Sequence, residues 1–384
     1  MTRWLDALDR KAGLRARAGL TRRLRPRAAS DEVTDLAGND YLGLSRHPRV
    51  IEAAAAALRR FGAGATGSRL VRGSTELHTA LEAALADWLG TESALVYSSG
   101  YLANLGAVRA LTQPATTLVT DAHNHASLVD GVRLTGRPPT ITPHNDLPAV
   151  RAALAAAPTA PAVVVTESVF SVDGDLAPLA ELHALGSAHD ALLLVDDAHA
   201  LGVLGPSGAG GVAAAGLAGA PDVVVTATLS KALGAAGGVI AGPAALIRHL
   251  IDTGRTFIYD TALPPATTAA ALAALELARA DDTGRAELAA RATLAHARLT
   301  AAGLTAAPPA AGVVSVTAHG PAEAVAWAAA CLDAGVAVGC FRPPTTPDPR
   351  SRLRLTINVG VPRHDFERAL DVIVKTAPHP APVS

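Results

Sequence analysis

The sequence predicts an α/β protein with a mostly parallel central sheet, helices on both of its faces, and a smaller α/β unit towards the carboxyl end. Short apolar, β-rich runs recur at residues 94–97, 117–120, 162–167, 192–197 and 223–228. Stretches of helical period, such as Leu147 to Ala156 and Leu176 to His189, separate them. Strands alternating with helices imply a parallel sheet covered on both sides. Ligands on such sheets bind beyond the carboxyl ends of the strands, and the chemically distinctive residues Glu167, Asp196, Asp197, Ser230 and Lys231 all fall there.

In chain order, an amphipathic helix is expected over Leu5 to Leu24, then a polar turn and the segment Asp35–Leu44. Nothing in these first 45 residues forms a core alone, so they are read as a separate amino-terminal segment. A helix from Pro48 leads into a glycine-rich run at 61–67, and a second helix covers Leu77 to Leu89. The alternating region follows, and residues 46–280 are read as the large domain. A long alanine-rich helical stretch between Thr267 and Ala302 should break near Asp281–Gly284 and bridge to a small domain, residues 281–384. That domain is expected to hold a strand at 312–318, a helix from Ala322 to Ala334, a proline-rich loop from Arg342, a strand at 352–358 and a helix from Asp365 to Lys375. The tail from Pro378 has the composition of a disordered segment.

Composition narrows the classes of partner. The 384 residues carry a formal net charge of −1, which gives no electrostatic reason for nucleic acid or an anionic membrane as a ligand. The hydrophobic share of 49% comes largely from alanine, and no uninterrupted apolar run reaches the roughly 18 residues of a membrane span. The arginine-dotted amino terminus lacks the apolar stretch and cleavage site of a secretory signal, so the expected location is the cytoplasm. Cys331 and Cys340 are too few for a disulfide framework and have no partner set for a metal.

Of 33 basic residues only Lys11, Lys231 and Lys375 are lysine. Lys11 and Lys375 lie in terminal, partly charged helices, whereas Lys231 follows an apolar strand with no other charge nearby. An apolar surround lowers an amine's pKa and frees it for Schiff-base chemistry. Asp196, at the end of the preceding predicted strand, could pair with a protonated ring nitrogen, and His199 could reach a neighbouring ring substituent. The alternative for each is structural: a lysine that snorkels to the surface, an aspartate that caps a turn, a surface histidine.

Ser99 and Gly100 open a helix after a strand, which suits an anion such as a phosphate. His123 and His125 form a His-x-His pair without a third ligand at metal spacing, leaving ring stacking by His125 as the better reading. Gly62, Gly64 and Gly67 match a dinucleotide fingerprint, but they follow a predicted helix where that motif needs a strand. No G-x-S-x-G elbow supports a serine hydrolase.

Taken together, NDYLGL from Asn39, SGYLAN from Ser99, HAS from His125, ESVFSVDGDLAPL from Glu167, VDDAHALGVLG from Val195, TLSK from Thr228 and RLT from Arg354 closely resemble the α-oxoamine synthases. These are fold-type-I pyridoxal-phosphate enzymes, and the similarity runs in order from about residue 17 to the last helix. The resemblance implies pyridoxal 5'-phosphate as cofactor, bound covalently by Lys231, with Asp196 on the pyridine nitrogen. It implies His199 and Ser171 near the ring's phenolic oxygen, His125 stacked on the ring, and Gly100, Tyr101 and Thr228 holding the cofactor. Thr261 would reach the phosphate from the partner subunit, making a homodimer with active sites at its interface. Arg354, assisted by Asn39, would clamp the amino-acid carboxylate, and Thr356 and Arg22, or the adjacent Arg23, would contact the acyl substrate. Within the family, the segments at 18–27, 67–78 and 40–48 imply decarboxylative condensation of L-alanine with a pimeloyl thioester, on coenzyme A or acyl carrier protein, in biotin biosynthesis. Condensation of glycine with acetyl-coenzyme A stays open as an alternative. So does a catalytically silent binding protein, against which the joint presence of Lys231, Asp196, His125 and Arg354 argues.

Overall fold

The computed structural model describes residues 2–343, 345–346 and 348–378. Among these residues, eleven strands form two sheets. In chain order they are β1 (Thr34–Leu36), β2 (Ser93–Tyr97), β3 (Thr117–Asp121), β4 (Thr140–Thr142), β5 (Ala162–Glu167), β6 (Ala191–Asp196), β7 (Val223–Thr228), β8 (Gly238–Gly242), β9 (Val313–Ala318), β10 (Val336–Phe341) and β11 (Ser351–Thr356). The large sheet has the order β2-β8-β7-β6-β5-β3-β4, and β8 alone runs against its neighbours.

Every residue of β5 and of β7 is buried, because helices cover both faces. Side chains divide by the two-residue period of a strand. Val163, Val165, Leu194 and Val224 pack into one apolar layer with Ala103, Ala107 and Leu128 of the helices Gly100–Leu111 and Ala126–Leu134. Val164, Leu193, Val195, Val223 and Val225 face the opposite layer, with Leu81, Leu85, Leu182 and Leu275. Each such side chain contributes roughly 1.5–3 kcal/mol on burial, so the sheet centre is rigid and its strand ends are fixed points.

The second sheet has the order β1-β10-β11-β9. The amino-terminal segment therefore joins it: Thr34–Leu36 pairs in parallel with Val336–Val338. The expected break in the alanine-rich stretch is present, with helices Pro265–Ala280 and Asp282–Ala301 and the Asp281 carboxylate accepting the Gly284 N–H at 2.8 Å.

Some expectations need correction. The first helix spans Arg3–Arg17 rather than reaching Leu24, because Gly19 at φ +67° reverses the chain and Leu20 N–H returns to the Arg15 carbonyl. The strands β1, β4, β8 and β10 were not expected. The strand expected over 352–358 ends at Thr356. The proline-rich loop and the tail lie partly, and from residue 379 wholly, outside the described residues. Among the described residues, no helix is long and apolar enough to cross a membrane.

Candidate active site

The carboxyl ends of β5, β6 and β7 open into a cavity of about 280 Å³. Glu167, Asp196, His199, Thr228 and Lys231 enter it from those ends, while Gly100, Tyr101, Asn104 and His125 close it from the helices opposite. Parallel pairing explains the convergence, since the register sets Glu167 beside Asp196 and Asp196 beside Thr226.

Asp196 is held on both oxygens. Its Oδ2 accepts from Asn104 Nδ2 at 2.7 Å, and its Oδ1 accepts the Ala198 N–H at 3.0 Å. Asn104 is itself fixed, donating to Ser127 Oγ at 2.8 Å and accepting from Thr226 Oγ1 at 2.5 Å. The carboxylate thus cannot rotate, as an acceptor for a ring N–H requires. His125 caps the helix Ala126–Leu134, with its Nδ1 accepting the Ser127 N–H at 3.2 Å. That bond puts the ring proton on Nε2. Burial, chiefly, and the nearby Lys231 and Arg354 cations hold the imidazole below its ordinary pKa, against the pull of Asp196.

The Lys231 amine is lowered to about 8, first by burial and further by Arg354, with Asp196 and Glu167 opposing. A larger neutral fraction makes it a nucleophile and a base near neutral pH. Thr228 Oγ1 lies 2.8 Å from Ser230 Oγ and donates to the Gly237 carbonyl at 3.0 Å. Gly100, first residue of the helix Gly100–Leu111, packs on Thr228 so closely that a Cβ would sit 2.9 Å from the threonine Cβ. Only glycine lets the helix N-terminus approach these hydroxyls. Ser99 caps that helix, its Oγ accepting the Leu102 N–H at 3.2 Å.

The donor set fits pyridoxal 5'-phosphate. A helix N-terminus with Ser99, Thr228 and Ser230 nearby makes an anion cradle, a fixed carboxylate stands at the other side, and a lowered-pKa amine lies between strand ends in the same cavity.

Beside the cavity, on β11, Arg354 donates from Nη1 to the Ser171 carbonyl at 2.7 Å and from Nη2 to Asn39 Oδ1 at 2.9 Å. Its Nε is buried without a partner among the described residues, and its guanidinium lies 4.4 Å over the Phe341 ring. Thr356 is fully buried, and its hydroxyl also lacks a partner there. The Tyr101 hydroxyl, by contrast, donates to Asp130 Oδ2 at 2.7 Å on the exposed rim. Arg22 donates to Thr345 Oγ1 at 2.8 Å, outside the cavity wall. Thr261 lines a separate surface hollow with Ser68, Val71 and Tyr259, although its neighbour Asp260 accepts a hydrogen bond from Ser98 of the cavity wall.

Sequence reasoning assigned no role to three residues of this site. Asn104 couples Asp196 to Ser127, Glu167 accepts the His125 N–H at 2.6 Å, and the Tyr41 hydroxyl lies 2.6 Å from His199 Nδ1. Glu167 had a signal, its place at a strand end. The other two make contacts 92 and 158 residues away in the chain.

A family model of class I and II aminotransferases matches residues 31–373, and the chain belongs to that family, whose fold-type-I architecture it shares. Among curated relatives, the 8-amino-7-oxononanoate synthase of Mycolicibacterium vanbaalenii is 54% identical over 374 residues, covering 97% of this chain and 96% of the relative. That of Mycolicibacterium paratuberculosis is 55% identical over 372 residues, covering 96% and 95%. Among solved structures, serine palmitoyltransferase of Sphingomonas wittichii superposes with a TM-score of 0.88 at 30% identity, over 97% and 96% of the two chains. The 8-amino-7-oxononanoate synthase of Francisella tularensis gives 0.77 at 26% identity, over 89% and 97%.

Within the aminotransferase family, the chain therefore belongs with the 8-amino-7-oxononanoate synthases, pyridoxal-phosphate-dependent carbon acyltransferases of biotin biosynthesis.

Proposed function

We propose that the chain condenses L-alanine with a pimeloyl thioester, carried by coenzyme A or acyl carrier protein, in the cytoplasm. The reaction breaks the thioester C–S bond, forms a C–C bond at the alanine α carbon, and releases the α-carboxyl as carbon dioxide. The observation that carries this reading is Lys231, Asp196 and His125 in one cavity, with the Arg354–Asn39 pair at its edge.

Lys231 Nζ would hold the cofactor and, as an amine lowered towards neutral pH, would serve as the base for the α proton. Asp196 would keep the pyridine nitrogen protonated, His125 would lie against the ring, and His199 and Ser171 would address the phenolic oxygen. The bound cofactor supplies an electron sink for the carbanion at the α carbon. Gly100, Tyr101 and Thr228 would hold the cofactor, with Thr228 and the Thr261 of a second copy of the chain taking its phosphate, so that the working unit would be a homodimer. The planar Arg354 fork, held at the cavity edge by the Ser171 carbonyl and Asn39, supports the clamp role. Asn39 steadies that guanidinium. His125 Nε2–H polarises the thioester carbonyl, while Thr356 and Arg22 contact the acyl chain.

The test is direct. Purified protein with bound cofactor is supplied with L-alanine or glycine and with pimeloyl, acetyl or succinyl thioesters, and thiol release is followed. Release is expected with alanine and the pimeloyl thioester. Preference for glycine with an acetyl thioester would overturn the substrate assignment, and borohydride reduction that fixed the cofactor anywhere but Lys231 would overturn the site.

A further inference from the structure

Tyr41 lies in the amino-terminal segment yet is wholly enclosed, with its hydroxyl 2.6 Å from Nδ1 of the buried His199. The two rings meet edge to face, their centroids 6.2 Å apart. A bond between a phenol and an imidazole can run either way, so the direction has to be argued. His199 Nδ1 is the Tyr41 hydroxyl's one hydrogen-bond partner among the described residues. A buried O–H with nowhere to donate costs about 1–3 kcal/mol, so the phenol proton points at Nδ1. Burial supports this on both sides: it raises the phenol's pKa, and it drives the imidazole well below its ordinary value, helped by Lys231, Arg354 and His125. Both groups are therefore neutral. An imidazole that accepts at Nδ1 carries its proton on Nε2, and His199 lines the cavity.

The segment that carries Tyr41 is held from the smaller sheet's side. The Tyr41 carbonyl accepts the Val359 N–H at 3.0 Å, and its ring lies against Gly312, where a Cβ would come within 2.5 Å of Tyr41 Cδ1. Two residues earlier, Asn39 accepts from Arg354. A single short stretch, Asn39 to Tyr41, thus touches both the arginine at the cavity edge and the histidine in its wall.

We propose that Tyr41 is a positioning residue for the reaction: its hydroxyl fixes His199 as the tautomer that donates from Nε2 into the cofactor cavity, and the Asn39–Tyr41 stretch ties that donor to the Arg354 clamp. This rests on His199 facing the cofactor ring and goes beyond it by naming what sets the histidine's proton.

The experiment uses Tyr41→Phe, His199→Asn and the double variant, each in cofactor-loaded protein, with nitrogen-15-labelled histidine. Long-range proton–nitrogen spectra, assigned by the signal lost in His199→Asn, should show the parent His199 as a single neutral tautomer protonated at Nε2. Tyr41→Phe should give a tautomer mixture and move the pH midpoint of the cofactor's visible band by about half a unit or more. It should lower kcat about tenfold with KM for alanine changed less than about twofold, and should lower kcat less than about twofold in the His199→Asn background. A parent His199 protonated at Nδ1, or an equal loss of kcat with and without His199, would overturn the proposal. A visible band and midpoint unmoved by His199→Asn would remove His199 from the ring, and this proposal with it.

Discussion

Glu167 and Asp196 are register partners on adjacent parallel strands, so two carboxyls stand side by side at one wall of the cavity. They are held differently. Asp196 receives a side-chain amide and a backbone N–H, whereas Glu167 Oε1 receives the His125 N–H. Burial, reinforced by Asp196 and opposed by Lys231, pushes the Glu167 carboxyl well above its usual range.

A carboxyl held in its neutral form is closely mimicked by an amide. Glu167→Gln should therefore keep cofactor affinity within about threefold. Glu167→Ala leaves the His125 N–H without its acceptor and should cost about 1–3 kcal/mol of stability. Cofactor titration and denaturant unfolding of the two variants check this, and a Gln variant as impaired as the Ala variant would contradict it.

Arg354 presents a planar fork to whatever lies beside Asn39. Arg354→Lys keeps the charge but loses the fork, so KM for the amino acid should rise by about 10- to 100-fold, equivalent to the ~1.5–3 kcal/mol of a charged hydrogen bond. Cofactor affinity should change little. Steady-state kinetics with varied alanine reads both.

His144 bridges two elements, lying 2.9 Å from Asp121 Oδ1 at the end of β3 and 2.8 Å from Asp175 Oδ2 in the loop after β5. Burial pulls its pKa down, but hydrogen bonds and charge from the two aspartates outweigh that and raise it to about 9 from 6.5. Since the folded value is the higher one, the protonated bridge stabilises fully below about pH 6.5, and this contribution is lost as pH rises through about 9. Unfolding free energies of parent and His144→Gln should thus differ more at pH 6 than at pH 9.5. An equal difference at both pH values would remove the charged bridge.

If Thr261 serves the other subunit, variants should complement. Lys231→Ala and Thr261→Val proteins, each nearly inactive, would on mixing form dimers in which one site has both native residues. Activity should reappear with subunit exchange. No recovery despite proven exchange would place Thr261 with its own subunit.

The sequence made the centre of the fold legible because strands buried on both faces read as unbroken apolar runs, and β5 and β7 were bounded to the residue. Edge and irregular strands hid. Two of the three residues of β4 are exposed, and β8 begins and ends in glycine. At the site, Lys231 stood out by rarity and Asp196 by its strand end. Asn104 draws no role from the sequence, since its meaning depends on Asp196 and Thr226 being brought to it by the sheet. Tyr41 draws no role from the sequence for the same reason, since the fold brings its partner His199 to it.

The parallel pairing of Thr34–Leu36 with Val336–Val338 has a consequence for biosynthesis. The two strands come from widely separated stretches of the chain, so the earlier one leaves the ribosome long before its neighbour. Contacts of such wide sequence separation form slowly, and an unpaired edge invites association meanwhile. The larger sheet can assemble on the nascent chain before β11, with Arg354, has been made.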